Sequence, residues 1–170
     1  MTAVPLNELG YFGKNQKRTA PYKNLVSNRG FSEKMFYFPD GLPGFKENKE
    51  FAFVFNEKSN PFIIMNFCGE TKLSFMCLDP FFIFRDYKPI PSEEDKLALN
   101  ASSSDELVFL AIVKIDKENI AKGNFSEGVI IVKSPLVINP QNNYGKQIVI
   151  DESEYVEPYK FKDIKKLEQI

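Results

Sequence analysis

Short apolar runs, each closed by turn-forming residues, are the feature that most constrains how this chain can fold. The runs are rich in aromatic and β-branched residues, which favour strands. They lie at 33–38, 50–55, 62–67, 72–78, 106–116, 128–133 and 146–151. About seven short strands with turn signals every 8–12 residues predict an all-β, mainly antiparallel domain, either a small β-barrel or a sandwich.

Two of these regions carry more specific expectations. The run ELVFLAIVKID at 106–116 is almost continuously apolar, which predicts a central strand covered on both faces. The region 128–151 contains the tetrapeptide NNYG, in which Asn and Gly tolerate positive φ. We therefore expect 128–151 to form a meander of short antiparallel strands.

Two short helices are expected beside the strands. In PSEEDKLAL at 91–99, Ser92 is positioned to cap the helix and the acidic residues that follow complement its dipole. Near the end of the sequence, Phe161, Ile164 and Leu167 recur at spacings of three. This spacing predicts a short amphipathic helix, either docked on the body or frayed.

Composition favours one domain with a flexible beginning. The 170 residues suit a single core, and we divide the chain into an extension at 1–17, a β domain at 18–157 and a tail at 158–170. The net charge of −1 gives no general attraction to nucleic acid or to a membrane surface. The longest apolar run has seven residues, far short of the about 20 that span a bilayer. We expect a cytoplasmic, monomeric protein with no membrane partner.

Catalytic and metal-binding patterns are not found in the sequence. The chain has no His, which excludes an imidazole base and His metal ligands. Its two cysteines, Cys68 and Cys77, lie in apolar runs and are predicted to be buried reduced thiols. Asp79 precedes a proline and is interpreted as a turn residue. We therefore predict no enzyme activity, no cofactor and no metal.

The stretch FPDGLPGF at 38–45 is predicted to be a stiff turn. Gly41 and Gly44 supply backbone freedom, and Pro43 fixes φ between them. Phe38 and Phe45 are expected to anchor the flanking strands in the core.

Several motifs, taken in order, resemble the flagellar assembly factor FliW family over residues 18–157. They are FPDGLPGF, FMCLDP at 75–80, SEED at 92–95 and SPLVINPQNNYGKQIVI at 134–150. The resemblance implies a non-enzymatic regulator with a small β-barrel-like fold. It further implies a partner switch that binds flagellin and the translational repressor CsrA, relieving repression of flagellin synthesis. One departure is Ile131, which stands where the resemblance leads us to expect Asn.

Two regions are candidates for the partner surface. One is the pair Leu42 and Phe45, and the other is a hairpin region with the candidate residues Pro135, Val137, Asn139, Gln141 and Gln147. A structural role is at least as plausible for both, since Pro135 suits a turn and Val137 a core. A different class of function also stays open: a small β-barrel that binds a ligand, or an unrecognised carboxylate hydrolase. Direct nucleic-acid binding is disfavoured by the net charge.

Overall fold

The chain forms a closed β-barrel. The computed structural model describes residues 31–56, 62–84, 86–150 and 159–163. The strands are β1 Phe31–Tyr37, β2 Glu50–Asn56, β3 Phe62–Phe67, β4 Ser74–Leu78, β5 Val108–Lys114, β6 Val129–Asn139, β7 Tyr144–Gln147 and β8 Tyr159–Lys160. Their order is β5-β4-β3-β2-β1-β7-β6-β8, and β6 also pairs with β5, which closes a ring of seven strands. The predicted all-β, barrel-like fold is confirmed.

The ring closes through one narrow parallel contact. Adjacent strands from β1 to β6 pair antiparallel, as do β6 and β7. Strands β1 and β7 instead run parallel and share the single register pair Tyr37 and Tyr144. The Tyr37 N–H donates to the Asn143 carbonyl oxygen at 2.8 Å. Closure therefore joins positions that are far apart in the sequence.

Large apolar side chains fill the barrel interior. Side chains alternate across a strand, so Phe51, Phe53 and Phe55 of β2 all face the same side and are fully buried. The Phe38 ring packs edge-on against Phe51, with centroids 5.4 Å apart. The interior cluster comprises Phe36, Phe38, Leu42, Phe51, Phe53, Phe55, Ile63, Met65, Cys77, Val108, Leu110, Leu136 and Ile138.

A second apolar cluster covers the other face of β5. Val108 and Leu110 belong to the interior cluster, whereas Phe109, Ala111 and Val113 belong to the second one. Segments between β4 and β5 cover this face, and the Tyr87 hydroxyl donates to the Val132 carbonyl oxygen at 2.7 Å. The prediction of a central strand covered on both faces is confirmed.

Two helices and four 3₁₀ turns complete the described residues. They are α1 Glu93–Ala98 and α2 Lys117–Ala121, with the turns Pro80–Phe82, Ser104–Glu106, Phe125–Glu127 and Phe161–Asp163. Helix α1 begins at the predicted cap residue Ser92, and the structure adds that this cap is reciprocal with Asp95. The Asp79 carboxylate accepts from the Phe81 N–H at 2.9 Å, which confirms its turn role. Within these residues no helix is long and apolar enough to cross a membrane.

The region 128–151 differs from the predicted meander. Strand β6, Val129–Asn139, runs unbroken for 11 residues where shorter strands were expected. Its pairing with β5 shifts register, because Leu110 pairs with Leu136 but Ile112 pairs with Ile131. Pro135 lies in the unpaired bulge, where its missing N–H leaves no gap in the β5 ladder. The strand predicted at 146–151 is found at Tyr144–Gln147 instead.

Other expectations fall at the edges of the described residues. The predicted 1–17 extension lies outside them. In the predicted tail, Tyr159–Lys160 pairs with β6 and Phe161–Asp163 forms a 3₁₀ turn, while Ile164 and Leu167 lie outside. Cys77 is buried as predicted, but Cys68 is exposed. That prediction was wrong for Cys68 because β3 ends at Phe67, one residue before it.

Candidate functional site

The 38–45 loop is a tight turn in which Leu42 faces the barrel interior and Phe45 faces outward. Gly41 and Gly44 have φ of 64° and 83°, conformations that side chains other than glycine rarely adopt. The Phe45 N–H donates to the Leu42 carbonyl oxygen at 2.7 Å. Leu42 is 2% exposed, whereas Phe45 is 40% exposed. The core role predicted for Phe38 is confirmed, but the one for Phe45 was wrong because this bridge turns its ring outward.

Phe45 lies at the edge of an apolar groove of about 740 Å³. Its ring packs edge-on against Phe75, with centroids 5.7 Å apart. The other lining residues come from the 38–45 loop, from strands β3 to β7 and from the region of α2: Leu42, Pro43, Ile64, Ser74, Met76, Ile112, Val113, Lys114, Ile115, Ile120, Phe125, Ile131 and Gln147. Only three of the lining residues, Ser74, Lys114 and Gln147, are polar.

The groove follows from the short pairing of two strands. Strands β4 and β5 pair only at Met76–Val113, Cys77–Ile112 and Leu78–Ala111. On the far side of the Met76–Val113 pair, β4 and β5 no longer form a ladder. The next residues, Phe75 and Lys114, line the groove. Ile64 and Ile120 remain 37% and 45% exposed along it. A concave surface that is mostly apolar, with few polar groups, is typical of a binding site.

The second predicted region is a structural frame around Asn139. Asn139 is buried, its side-chain nitrogen donates to the Leu99 carbonyl oxygen at 2.8 Å, and its side-chain oxygen accepts from the Gln141 N–H at 3.0 Å. Asn142 donates to the same Leu99 oxygen at 2.8 Å. The last carbonyls of a helix have no partner within the helix, so these amides satisfy the end of α1. They fix α1 to the β6–β7 turn.

An ion pair makes a further connection between α1 and β7. The Lys146 Nζ lies 2.7 Å from an Asp95 carboxylate oxygen. Burial alone would raise the pKa of Asp95, but hydrogen bonds from Lys146 and Ser92 outweigh it and hold that pKa below its usual value. The hydrogen bond to Asp95 raises the pKa of Lys146 despite some burial. Both groups are therefore charged at neutral pH.

The structure separates the predicted site residues into two sets. Leu42, Phe45 and Gln147 meet at the groove, although Gln147 is about 100 positions from the other two in the sequence. The others belong to β6 and its turn: Pro135, Val137 and Asn139 are buried, and Gln141 is exposed. Val137 packs in the second apolar cluster.

Sequence reasoning missed most of the groove lining. Ile64, Met76 and Ile112 lie in apolar strands, where periodicity marks a face but not whether that face is covered. Ile131 was noted only as a departure from the resemblance, and the structure places it in the groove. The one sequence signal for the groove was Ile131, an apolar residue at a position where the resemblance led us to expect a polar Asn.

The fold and site define a class of protein: a small β-barrel with a filled interior and an exposed, mostly apolar groove. The chain belongs to the FliW family, since the family model described as FliW protein matches residues 23–161.

Relatives and a solved structure agree with this assignment. The chain is 32% identical over 123 residues to a flagellar assembly factor FliW of Natranaerobius thermophilus, covering 72% of this chain and 78% of that one. It is 33% identical over 126 residues to the same-named protein of Borrelia turicatae, covering 74% and 91%. A crystal structure of the flagellar assembly factor FliW superimposes with a TM-score of 0.64 at 21% identity, over 80% of this chain and 88% of that one. The last comparison shows a shared fold.

Proposed function

We propose that this chain is a cytoplasmic, non-enzymatic regulator that binds flagellin and the translational repressor CsrA in alternation. Free protein sequesters CsrA and relieves repression of flagellin synthesis, and accumulating flagellin displaces CsrA. Family membership supports the biological role, as the curated relatives are named flagellar assembly factors. The observation that carries the proposal in this chain is the exposed apolar groove.

The chemistry of the groove suits a protein partner. Phe45, Ile64 and Ile120 present apolar surface that a partner can desolvate. Aromatic residues and Met are enriched at the centres of protein interfaces, and the groove contains Phe45, Phe75 and Met76. Because Phe45 is held by Phe75, its ring loses little freedom on binding. We therefore take Phe45 as an anchor, with Leu42 beneath it and Gln147 as a polar contact.

The alternative of a ligand held inside the barrel receives less support. The interior positions carry fully buried rings, among them Phe36, Phe38, Phe51 and Phe53. These rings pack on one another, with the Phe36 and Phe53 centroids 5.3 Å apart. A barrel that encloses a ligand needs interior space which these side chains fill. Binding by this chain is more readily placed on the outside of the barrel.

The decisive experiment is a competition. The full chain is immobilised and offered flagellin and CsrA separately at micromolar concentration, and each is expected to be retained. Flagellin is then added to the CsrA complex and is expected to release CsrA. Retention of neither protein contradicts the proposal, and retention of both at once contradicts the switch.

A matched pair of variants tests the groove as the surface used. Ile64→Glu places a charge where a partner would have to desolvate it, which weakens binding by about tenfold or more. Leu97→Glu makes the same change on α1, where the side chain is 75% exposed and does not line the groove. Equal effects of the two variants would show that partners bind elsewhere.

A further inference from the structure

The described chain ends beside the groove. The turn Phe161–Asp163 packs near the turn Phe125–Glu127: the Lys162 Nζ lies 2.6 Å from one Glu127 oxygen, and the Lys160 Nζ lies 3.1 Å from the other. Phe161 packs against Phe62 with ring centroids 5.5 Å apart. Phe125, two residues before Glu127, is part of the groove lining. The chain therefore leaves the described structure close to one end of the groove.

Two partly exposed ion pairs contribute to this attachment. A hydrogen bond from Lys162, and a weaker effect of one from Lys160, lower the pKa of Glu127, although burial acts in the opposite direction. The carboxylate stays charged at neutral and mildly acidic pH, so both ion pairs persist. A residue placed at Gly128 would also meet the Phe161 ring, with 3.0 Å between an added Cβ and the nearest ring carbon. The position of the turn Phe161–Asp163 is thus held by packing as well as by ion pairs.

The sequence that follows has the chemistry to enter an apolar groove. Residues 164–170 read IKKLEQI, with Ile164, Leu167 and Ile170 at spacings of three and polar residues between them. This spacing places the three apolar side chains on one face of a helix. Seven residues reach about 10 Å as a helix and about 25 Å when extended.

We propose that residues 164–170 bind in the groove and compete there with the protein partner. The competition rests on the proposed function, whereas the docking itself does not. A tethered segment has an effective concentration of about 1 mM. If its own dissociation constant is about 0.1 mM, it occupies the groove about 90% of the time and lowers the apparent partner affinity about tenfold.

Docking can be tested without any partner. In the full chain, Cys68→Ser removes the exposed native thiol, while Cys77 is buried and does not react. A nitroxide on Gln169→Cys then reports which isoleucine methyl groups lie near the tail by nuclear magnetic resonance. Selective signal loss is expected at the groove residues Ile64, Ile120 and Ile131, with Ile90, which does not line the groove, unaffected. No loss, or equal loss at all of these positions, overturns the proposal.

Two controls separate docking within one chain from other causes. Leu167→Glu is expected to restore the groove signals, whereas Lys165→Gln, a change at a polar position, is not. Nitroxide-labelled chains mixed with isotope-labelled chains test contact between molecules. Signal loss of equal strength in that mixture would mean that the groove accepts a second copy, and would overturn the proposal.

The partner measurement completes the test. Leu167→Glu is expected to raise the affinity for CsrA or flagellin about tenfold, and Lys165→Gln to leave it unchanged. If residues 164–170 dock in the groove but Leu167→Glu does not raise the partner affinity, the proposed competition with the partner is wrong. Docking in a chain that binds neither protein would disprove the proposed function while supporting the tail contact.

Discussion

The side-chain amide of Asn139 donates a 2.8 Å hydrogen bond to the backbone carbonyl oxygen of Leu99, forty positions earlier in the chain. Both residues are only 1% exposed. The bond joins the end of α1 to the end of β6 and satisfies a carbonyl that the helix itself leaves unpaired. The Asn of the PLVIN motif is therefore part of the framework of the barrel.

Asn139→Ala is expected to lower the free energy of unfolding by about 2–3 kcal/mol, because it removes the buried hydrogen bond to the Leu99 carbonyl oxygen and takes away the acceptor of the Gln141 N–H. Asn142→Ala is expected to cost only about 1 kcal/mol, since Asn139 still donates to the Leu99 carbonyl. Urea denaturation measures the free energy of unfolding of both variants. The folded Asn139→Ala protein should keep its partner affinity; lost affinity with unchanged stability would make Asn139 a contact residue instead.

Gly145→Ala is expected to destabilise the barrel by about 1–3 kcal/mol, because the added methyl group overlaps the Phe38 ring in the interior. The φ of Gly145 is not positive, so the cost is one of space. Combining it with Phe38→Leu provides the control. The double variant should lose less stability than the two single variants added together, with a coupling of at least about 0.5 kcal/mol. Strict additivity would refute the steric explanation.

Phe45→Ala is expected to weaken partner binding by about tenfold or more, as truncation of an aromatic anchor typically does. Its free energy of unfolding should fall by about 1–2 kcal/mol, less than for a fully buried ring, because Phe45 is 40% exposed but also packs against Phe75. Leu97→Ala removes a more exposed apolar side chain outside the groove and should leave affinity unchanged. Titration calorimetry with each partner measures the difference. An unchanged affinity for both partners in Phe45→Ala would remove this residue from the proposed surface.

The Asp95 ion pair predicts a specific pH dependence. The pKa of Asp95 is lower in the folded state than in the unfolded state, so its stabilisation is present at neutral pH and is lost as the pH falls through the acidic range. Asp95→Asn should cost about 1 kcal/mol at pH 7, and this cost should shrink as the pH falls below the ordinary pKa of an aspartate. Glu94→Gln removes an exposed carboxylate from the same helical turn and should have little effect at either pH. A cost of Asp95→Asn that does not change with pH would contradict this account.

The two cysteines should differ sharply in reactivity. Cys68 is exposed, whereas burial raises the pKa of Cys77 to about 12. A maleimide reagent is expected to modify one thiol in the native protein and both in denaturant, because the thiolate is the reactive form. In Cys68→Ser the native reaction should disappear. Rapid native labelling of that variant would show that the barrel opens at Cys77.

Local patterns in the sequence were sufficient for strands β1 to β5 and for α1. Alternating and continuous apolar runs located β1 to β5, and the cap at Ser92 located the helix. The sequence also placed Phe38 correctly, since a large ring next to an apolar strand has few other places to pack. These features depend on neighbours within about ten residues.

The remaining features depend on contacts that local patterns do not encode. Ser134 and Pro135 look like loop residues, yet they continue β6 because neighbouring strands still bond to this segment: the Ile148 N–H donates to the Pro135 carbonyl oxygen at 3.1 Å. Phe45 is turned outward by the bridge to Leu42. The groove arises where β4 and β5 separate, which no single stretch of sequence specifies.

The single parallel contact between β1 and β7 has a consequence for the timing of synthesis. Strands β1 to β5 can pair with their sequence neighbours as they emerge from the ribosome, but the second edge of β1 has no partner in the ring until Tyr144 of β7 has been made. The groove likewise needs Ile131 and Gln147 to complete its lining. A nascent chain therefore carries about the first four-fifths of the protein without a finished groove, and under the proposed function only a nearly full-length chain is competent to bind.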